Sequence, residues 1–355
     1  MGPAGWVREE IRALSAYHVP SAQGMVKLDA MENPYRLPPD VAAAMGRRLA
    51  EVAINRYPDP GAPQLREQLR AAMAIPGELQ ILLGNGSDEI LQMIAVALAR
   101  PGATMLAPEP SFVMYRMSAV TAGMQYVGVP LAADFSLDLP AMLAAIARHR
   151  PAITWIAYPN NPTGNLFARE DILRIVDASP GLVVLDEAYY AFSAGASLLP
   201  EVGRHPNLLL VRTLSKLGLA GIRLGLAVGP DEWLAEIDKV RLPYNVNVLT
   251  AAAAQFLLSR GDVLDRQTRD IIEVRGRLEI ALDRLPGVRR FPSAANFVLA
   301  RVPRAPSVFE GLKARGILVR ILHGSHPLLD DCLRFTVGTL DENDRLVEAL
   351  SATLG

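Results

Sequence analysis

The chain has 355 residues, more than the roughly 250–300 at which one hydrophobic core stops growing, so two domains are expected. Half of the residues are hydrophobic, 21% are charged and the formal net charge is -1; this is the balance of a soluble globular enzyme and gives no electrostatic reason to expect nucleic acid or an anionic membrane as partner. The single cysteine, Cys332, excludes intrachain disulfides and cysteine-based zinc sites and suits a reducing, cytoplasmic compartment.

The first ten residues have no basic stretch leading into an apolar one, so no secretory signal is expected. The most apolar window, 90–99, is far shorter than the about 20 residues that span a bilayer. Helical spacing runs over 63–73, a short apolar run at 79–83 ends in glycines, and 89–99 reads as a buried helix. Buried strands are expected at 104–107, 153–157, 182–185, 208–211 and 225–228, with helical patterns at 140–148 and 168–177 among them. Their apolar runs are continuous, not alternating, which suits strands covered on both faces and hence a mostly parallel α/β sheet. After Pro230 the pattern changes. Helices are expected at 232–241, 250–258, 263–285, 306–315 and 342–350, with strands at 295–300, 317–320 and 333–337. The expected organisation is an N-terminal segment (1–40) on the smaller domain, a large domain (41–245) and a small α+β domain (246–355).

Four strings carry chemistry. Lys216 follows an apolar strand and precedes the glycine-bearing stretch from Gly218 to Arg223; an amine there, made partly neutral by burial or a neighbouring cation, is what a Schiff-base catalyst requires. Asp186 ends the strand at 182–185, where a parallel sheet directs side chains into its ligand crevice, and could pair with a protonated ring nitrogen. Gly84-Asn85-Gly86-Ser87-Asp88-Glu89 joins a strand to a helix; it reads either as a phosphate cup or as a plain Ser-capped turn, and it is not a Walker loop. Pro159-Asn160-Asn161-Pro162-Thr163-Gly164 fixes a turn that presents the Asn161 amide to a phenolate-like oxygen.

In this order, Asn161-Pro-Thr-Gly, Asp186-Glu-Ala-Tyr and Ser215-Lys216 resemble the signature of fold-type I pyridoxal-phosphate enzymes, the aspartate aminotransferase superfamily. The strings from Lys27 to Tyr35, Asn55 to Pro60 and Leu333 to Thr339 resemble, more closely, the histidinol-phosphate aminotransferase family, and the likeness runs from about residue 14 to the C-terminus. The resemblance implies a large domain on a mostly parallel seven-stranded sheet, a smaller α+β domain, and pyridoxal 5'-phosphate bound covalently through Lys216. It implies that Asp186 holds the ring nitrogen, that Asn161 and Tyr189 contact the ring oxygen, and that Phe112 stacks on the ring. Gly86, Ser87, Asp88, Thr213, Ser215 and Arg223 would cradle the phosphate, joined by Tyr57 from the neighbouring subunit of a homodimer with shared active sites.

Two departures stand out: Met31 replaces the more usual first Asn of Asn-Glu-Asn-Pro, and Arg223 lies one residue closer to Lys216 than in many relatives, a shortening that Gly218 and Gly221 permit. For substrate, the resemblance implies Tyr17, Asn33, Arg320 and Arg334, with Arg334 forking either the phosphate of histidinol phosphate or the carboxylate of glutamate. The expected reaction is reversible amino transfer from histidinol phosphate to 2-oxoglutarate in histidine biosynthesis, by ping-pong kinetics. Threonine-phosphate decarboxylation and aromatic amino acid transamination stay open on the same scaffold; a sensor domain would need a DNA-binding module for which residues 1–40 are too few and insufficiently basic. The histidines at 18, 149, 205, 323 and 326 have no metal-ligand spacing, and no metal is expected.

Overall fold

Uninterrupted Val, Leu and Ile runs make the strands that build the larger of two sheets. In the computed structural model, residues 2, 5–16 and 20–355 are described. The strands in chain order are β1 (Val26–Leu28), β2 (Gln80–Gly84), β3 (Thr104–Glu109), β4 (Gln125–Pro130), β5 (Ile153–Ala157) and β6 (Leu182–Asp186). They continue with β7 (Leu208–Thr213), β8 (Gly225–Gly229), β9 (Arg289–Arg290), β10 (Phe297–Arg301), β11 (Ile317–Ile321) and β12 (Cys332–Thr336). The large sheet has seven strands in the order β2-β8-β7-β6-β5-β3-β4, and only β8 runs against its neighbours. The second sheet, β1-β11-β12-β10-β9, is antiparallel apart from the β1–β11 pair.

The large sheet is a mostly parallel, doubly covered sheet, as its apolar runs dictate. Along β5, β6 and β7 every residue is buried, and the two faces alternate. Val183, Leu185, Leu208 and Leu210 enter one core; Leu182, Val184, Leu209 and Val211 enter the other. That parity puts Asp186 and Thr213 on the face covered by the helices Ser87–Leu98 and Met114–Ala122, and Glu187 and Arg212 on the opposite face. Strand order reverses between β3 and β5, so the crevice for a ligand opens at the C-terminal ends of these strands.

The N-terminal segment divides its contacts. β1 adds to the second sheet, whereas Arg8 donates to the Thr121 carbonyl at 2.6 Å, on the helix Met114–Ala122 of the large sheet. The helix Val248–Leu258, expected with the small domain, packs on the helices Pro39–Ala50 and Pro63–Ala72 instead. Its Ala254 and Leu257 join the core containing Leu65 and Leu69. Being apolar nearly all round, that helix carries no stripe that would reveal which core it serves. The second core takes over within the helix Gly261–Asp283: Leu264 sits in the first core, and Ile271, Val274, Leu278 and Leu282 in the second.

Candidate active site

The C-terminal ends of five strands of the large sheet, β2, β3, β5, β6 and β7, converge on one pocket, whose wall includes Ser87, Asp88, Phe112, Asn161, Asp186, Tyr189, Thr213, Ser215, Lys216 and Arg223. All ten are residues that the sequence singles out. Register explains the convergence: Ala157 lies opposite Asp186, and Asp186 opposite Val211, so the loops after β5, β6 and β7 leave the sheet side by side. On the far face Arg212 Nη2 donates to Glu187 Oε2 at 2.8 Å, and its guanidinium lies 3.9 Å from the Tyr190 ring centroid. Both side chains of this pair are fully buried, and it braces β6 against β7 just behind Asp186 and Thr213; breaking such a pair costs roughly 3–5 kcal/mol.

The helix Ser87–Leu98 begins at the pocket, and no side chain caps it. Its first N–H groups and positive dipole end therefore face the cavity, a ready site for an anion. Gly86 turns there with φ +84, and a Cβ would come 2.5 Å from Arg223 Nη2, so glycine is required for the guanidinium to lie over the turn. Arg223 reaches Asp88 Oδ2 and Ser215 Oγ, each at 3.4 Å, and the Ser215 hydroxyl lies 2.9 Å from that of Thr213. The shortened spacing from Lys216 thus still delivers Arg223 to the pocket. It does so by placing Arg223 itself in the left-handed region, at φ +52.

The two ionisable groups at the pocket's centre are both driven toward neutrality. Burial, then the Arg334 charge, lowers the Lys216 amine to about 8, and the amine lies 3.5 Å from the Ala30 carbonyl to which it donates. Burial raises the Asp186 carboxyl to about 6, although the Tyr115 hydroxyl and the Ala188 N–H donate to it at 2.9 and 3.1 Å. Tyr115 is itself pushed well up by burial and by Asp186, so it stays a donor. Its ring stacks on Trp155 and meets Phe112 edge-on.

Arg334, from β12, brings the second sheet to the pocket. Its Nη1 donates to Asn161 Oδ1 at 2.6 Å and its Nη2 to the Asp29 carbonyl at 2.9 Å. Asn161 Nδ2 in turn donates to the Tyr189 hydroxyl at 3.3 Å. Arg320 pairs directly across from Arg334 on β11 and, among the described residues, makes no hydrogen bond or ion pair. Gly86, Asn33, Tyr57, Arg320 and Arg334 are not part of the pocket wall, although Arg334 bonds to its Asn161 and Gly86 lies against its Arg223. Asn33 bonds its amide to Gln267 at 3.0 Å and packs on Gly218, and Tyr57 is 80% exposed with its ring stacked on Tyr244. Tyr17 lies outside the described residues, as does His18. Sequence reasoning missed Tyr115, the main partner of Asp186; its spacing of three from Phe112 was the available signal, had the helix at 114–122 been recognised.

A family model for aminotransferase class I and II matches residues 23–350. The chain is 56% identical over 344 residues to the histidinol-phosphate aminotransferase of Chromobacterium violaceum, covering 97% of this chain and 96% of that one. The chain belongs to the class I and II aminotransferases. The aminotransferase superposes on the histidinol-phosphate aminotransferase of Sinorhizobium meliloti, solved in complex with pyridoxal-5'-phosphate, with TM-score 0.88 at 26% identity over 98% of this chain and 97% of that one. It also resembles an L-threonine-O-3-phosphate decarboxylase from Porphyromonas gingivalis, with TM-score 0.78 at 25% identity over 93% and 99% of the two chains.

The residues of this aminotransferase fit that cofactor. A buried carboxylate raised to about 6 is short of a cation, which a protonated ring nitrogen would supply. An uncapped helix start beside Arg223 suits a phosphate, and an amine at about 8 is neutral often enough to bond an aldehyde carbon. No helix among the described residues is long and apolar enough to cross a membrane.

Proposed function

We propose that this aminotransferase is a histidinol-phosphate aminotransferase of L-histidine biosynthesis. It carries the amino group of L-histidinol phosphate to 2-oxoglutarate, reversibly, giving imidazole acetol phosphate and L-glutamate. Pyridoxal 5'-phosphate, its cofactor, supplies the aldehyde carbon that takes up the amino group and the ring that withdraws electrons from the bond being broken.

Each residue's task follows from its place. Lys216 Nζ would hold the cofactor covalently and, as a free amine, would move the proton at the reacting carbon; its lowered pKa leaves a useful neutral fraction near neutral pH. Asp186, fixed by Tyr115 and the Ala188 N–H, keeps the ring nitrogen charged. Asn161 Nδ2 and the Tyr189 hydroxyl lie side by side and would hold the ring oxygen, and Phe112, in the same pocket wall, would pack against the ring. The turn at Gly86, Ser87 and Asp88, with Thr213, Ser215 and Arg223, would hold the phosphate.

The observation that carries the substrate assignment is the cross-strand pair Arg320 and Arg334. Like charges directly opposite on neighbouring strands repel, and an anion between them removes the penalty. A phosphate satisfies both guanidinium groups, and a carboxylate takes the Arg334 fork in the second half of the cycle. One site serving two amino donors in turn gives ping-pong kinetics. Tyr17 and Asn33 complete the substrate end in this reading, Asn33 by holding the segment around residue 31 to Gln267. Glutamate formed from histidinol phosphate and 2-oxoglutarate, with parallel lines in double-reciprocal plots, is the expected result. Carbon dioxide release from threonine phosphate without a keto acid would replace this assignment with a lyase.

The same reading includes a cytoplasmic homodimer in which Tyr57 reaches the partner's phosphate site. Ile54, Tyr57 and Leu242 are 74%, 80% and 71% exposed and neighbour the Tyr57–Tyr244 stack, an apolar surface that a second copy would cover. Leu242→Asp should yield monomers in sedimentation with weakened cofactor retention; an unaltered dimer would place the interface elsewhere.

A further inference from the structure

Asn160 is fully buried and, unlike the Asn161 that follows it, is not part of the pocket wall. Every polar atom of its amide is engaged. Nδ2 donates to the Pro110 carbonyl at 3.0 Å and to Thr163 Oγ1 at 2.7 Å, and Oδ1 accepts from Ser111 Oγ at 2.8 Å. Thr163 Oγ1 donates in turn to Asn165 Oδ1 at 2.5 Å, so toward Asn160 it is an acceptor. The Asn160 backbone closes its own turn: its N–H donates to the Asn165 carbonyl at 3.0 Å and its carbonyl accepts from the Gly164 N–H at 2.7 Å.

The side-chain bonds to Pro110 and Ser111 cross the crevice where strand order reverses. There β3 and β5 pair only at Met105–Ile153 and Leu106–Thr154. Beyond that each strand runs on with its other neighbour, β3 along β4 to Glu109 and β5 along β6 to Ala157. The loops leaving the two ends carry Phe112 and Asn161, and strand pairing has stopped fixing the gap between them. Among the described residues, the hydrogen bonds that join 110–112 to 159–164 are those of the Asn160 amide.

We propose that Asn160 is a positioning residue: its amide ties the loop of Phe112 to the loop of Asn161 and so sets where the ring-covering phenyl stands relative to the amide that holds the ring oxygen. The inference rests on the roles of Phe112 and Asn161 given above. Asn160→Asp keeps the shape and the acceptor for Ser111, but turns an oxygen toward the Pro110 carbonyl and so parts the loops.

The test titrates cofactor-free protein, shown to be folded by its urea melt, with pyridoxal 5'-phosphate. Bound cofactor is read by absorbance, not turnover, and the pH midpoint of its colour change is then followed. Asn160→Asp is expected to weaken binding about fivefold, the factor equivalent to one net hydrogen bond, and to move the midpoint in the direction in which Asn161→Ala moves it. In a Phe112→Ala, Asn161→Ala background the aspartate should have no further effect, because the groups it misplaces are gone. Should Asn160→Asp not fold, Ser111→Ala cuts the same tie from the Phe112 side and should show both effects, with about a twofold loss of binding. A folded variant that binds like the parent, that leaves the midpoint unmoved, or that loses the same factor in the Phe112→Ala, Asn161→Ala background overturns the proposal alone. Parent-like binding by both Phe112→Ala and Asn161→Ala overturns the roles of those two residues and the proposal with them.

Discussion

Asp186 is placed where it harms the empty protein and serves the loaded one, and this can be measured. Burial raises its carboxyl from 3.8 to about 6. The folded state therefore binds the proton more tightly than the unfolded chain. Above about pH 6 the folded carboxylate is charged and its full penalty is present; as pH falls through 6 toward 3.8 protonation removes it. A rise of this size corresponds to about 3 kcal/mol of lost stability, and the residue is too buried for solvent to screen it. Asp186→Asn keeps an oxygen acceptor and adds no charge. In urea melts of the cofactor-free protein the variant should be more stable by about 3 kcal/mol at about pH 8, by about half that at about pH 5, and by nothing below about pH 3. With pyridoxal 5'-phosphate bound the order should reverse, because an amide cannot keep the ring nitrogen charged. A variant no more stable than the parent at alkaline pH, or a gain independent of pH, would refute the charge argument.

Lys216 has a folded pKa of about 8, so the rate of covalent cofactor capture should rise about tenfold per pH unit up to that value and level off above it. Stopped-flow absorbance checks this, and because Arg334 contributes to the lowered value, Arg334→Leu should move the midpoint upward. Arg334→Lys removes a two-bond fork and leaves a point charge, so kcat/KM for both histidinol phosphate and glutamate should fall by about 100-fold. Arg320→Ala should cost the phosphate donor far more than the carboxylate donor; equal losses in steady-state kinetics would deny the paired anion site.

Much of the pocket was legible because it is built from strand ends. Glycine and proline punctuation located the loops after β5, β6 and β7, and continuous apolar runs identified those strands as central ones. Parity then decides which residue at each end faces the ligand, as for Asp186 against Glu187. The edge strand β4 has no such signature: it is mostly half-buried and contains Gly128 and Pro130, which read as a turn. The helix Met114–Ala122 mixes Ser, Thr and Val with apolar residues and so lacks a clear stripe, and with it Tyr115 was lost. The bond between Tyr189 and Met31 joins residues 158 apart in sequence, and no local pattern encodes it.

The most direct test of the whole account is a single turnover. Holoenzyme is mixed with histidinol phosphate in the absence of any keto acid, and the absorbance of the bound cofactor is followed as it passes to its amine form. The account predicts complete conversion, faster than with phenylalanine, and recovery of the original spectrum on adding 2-oxoglutarate. A spectrum that does not change with histidinol phosphate, or that responds faster to phenylalanine, would contradict it.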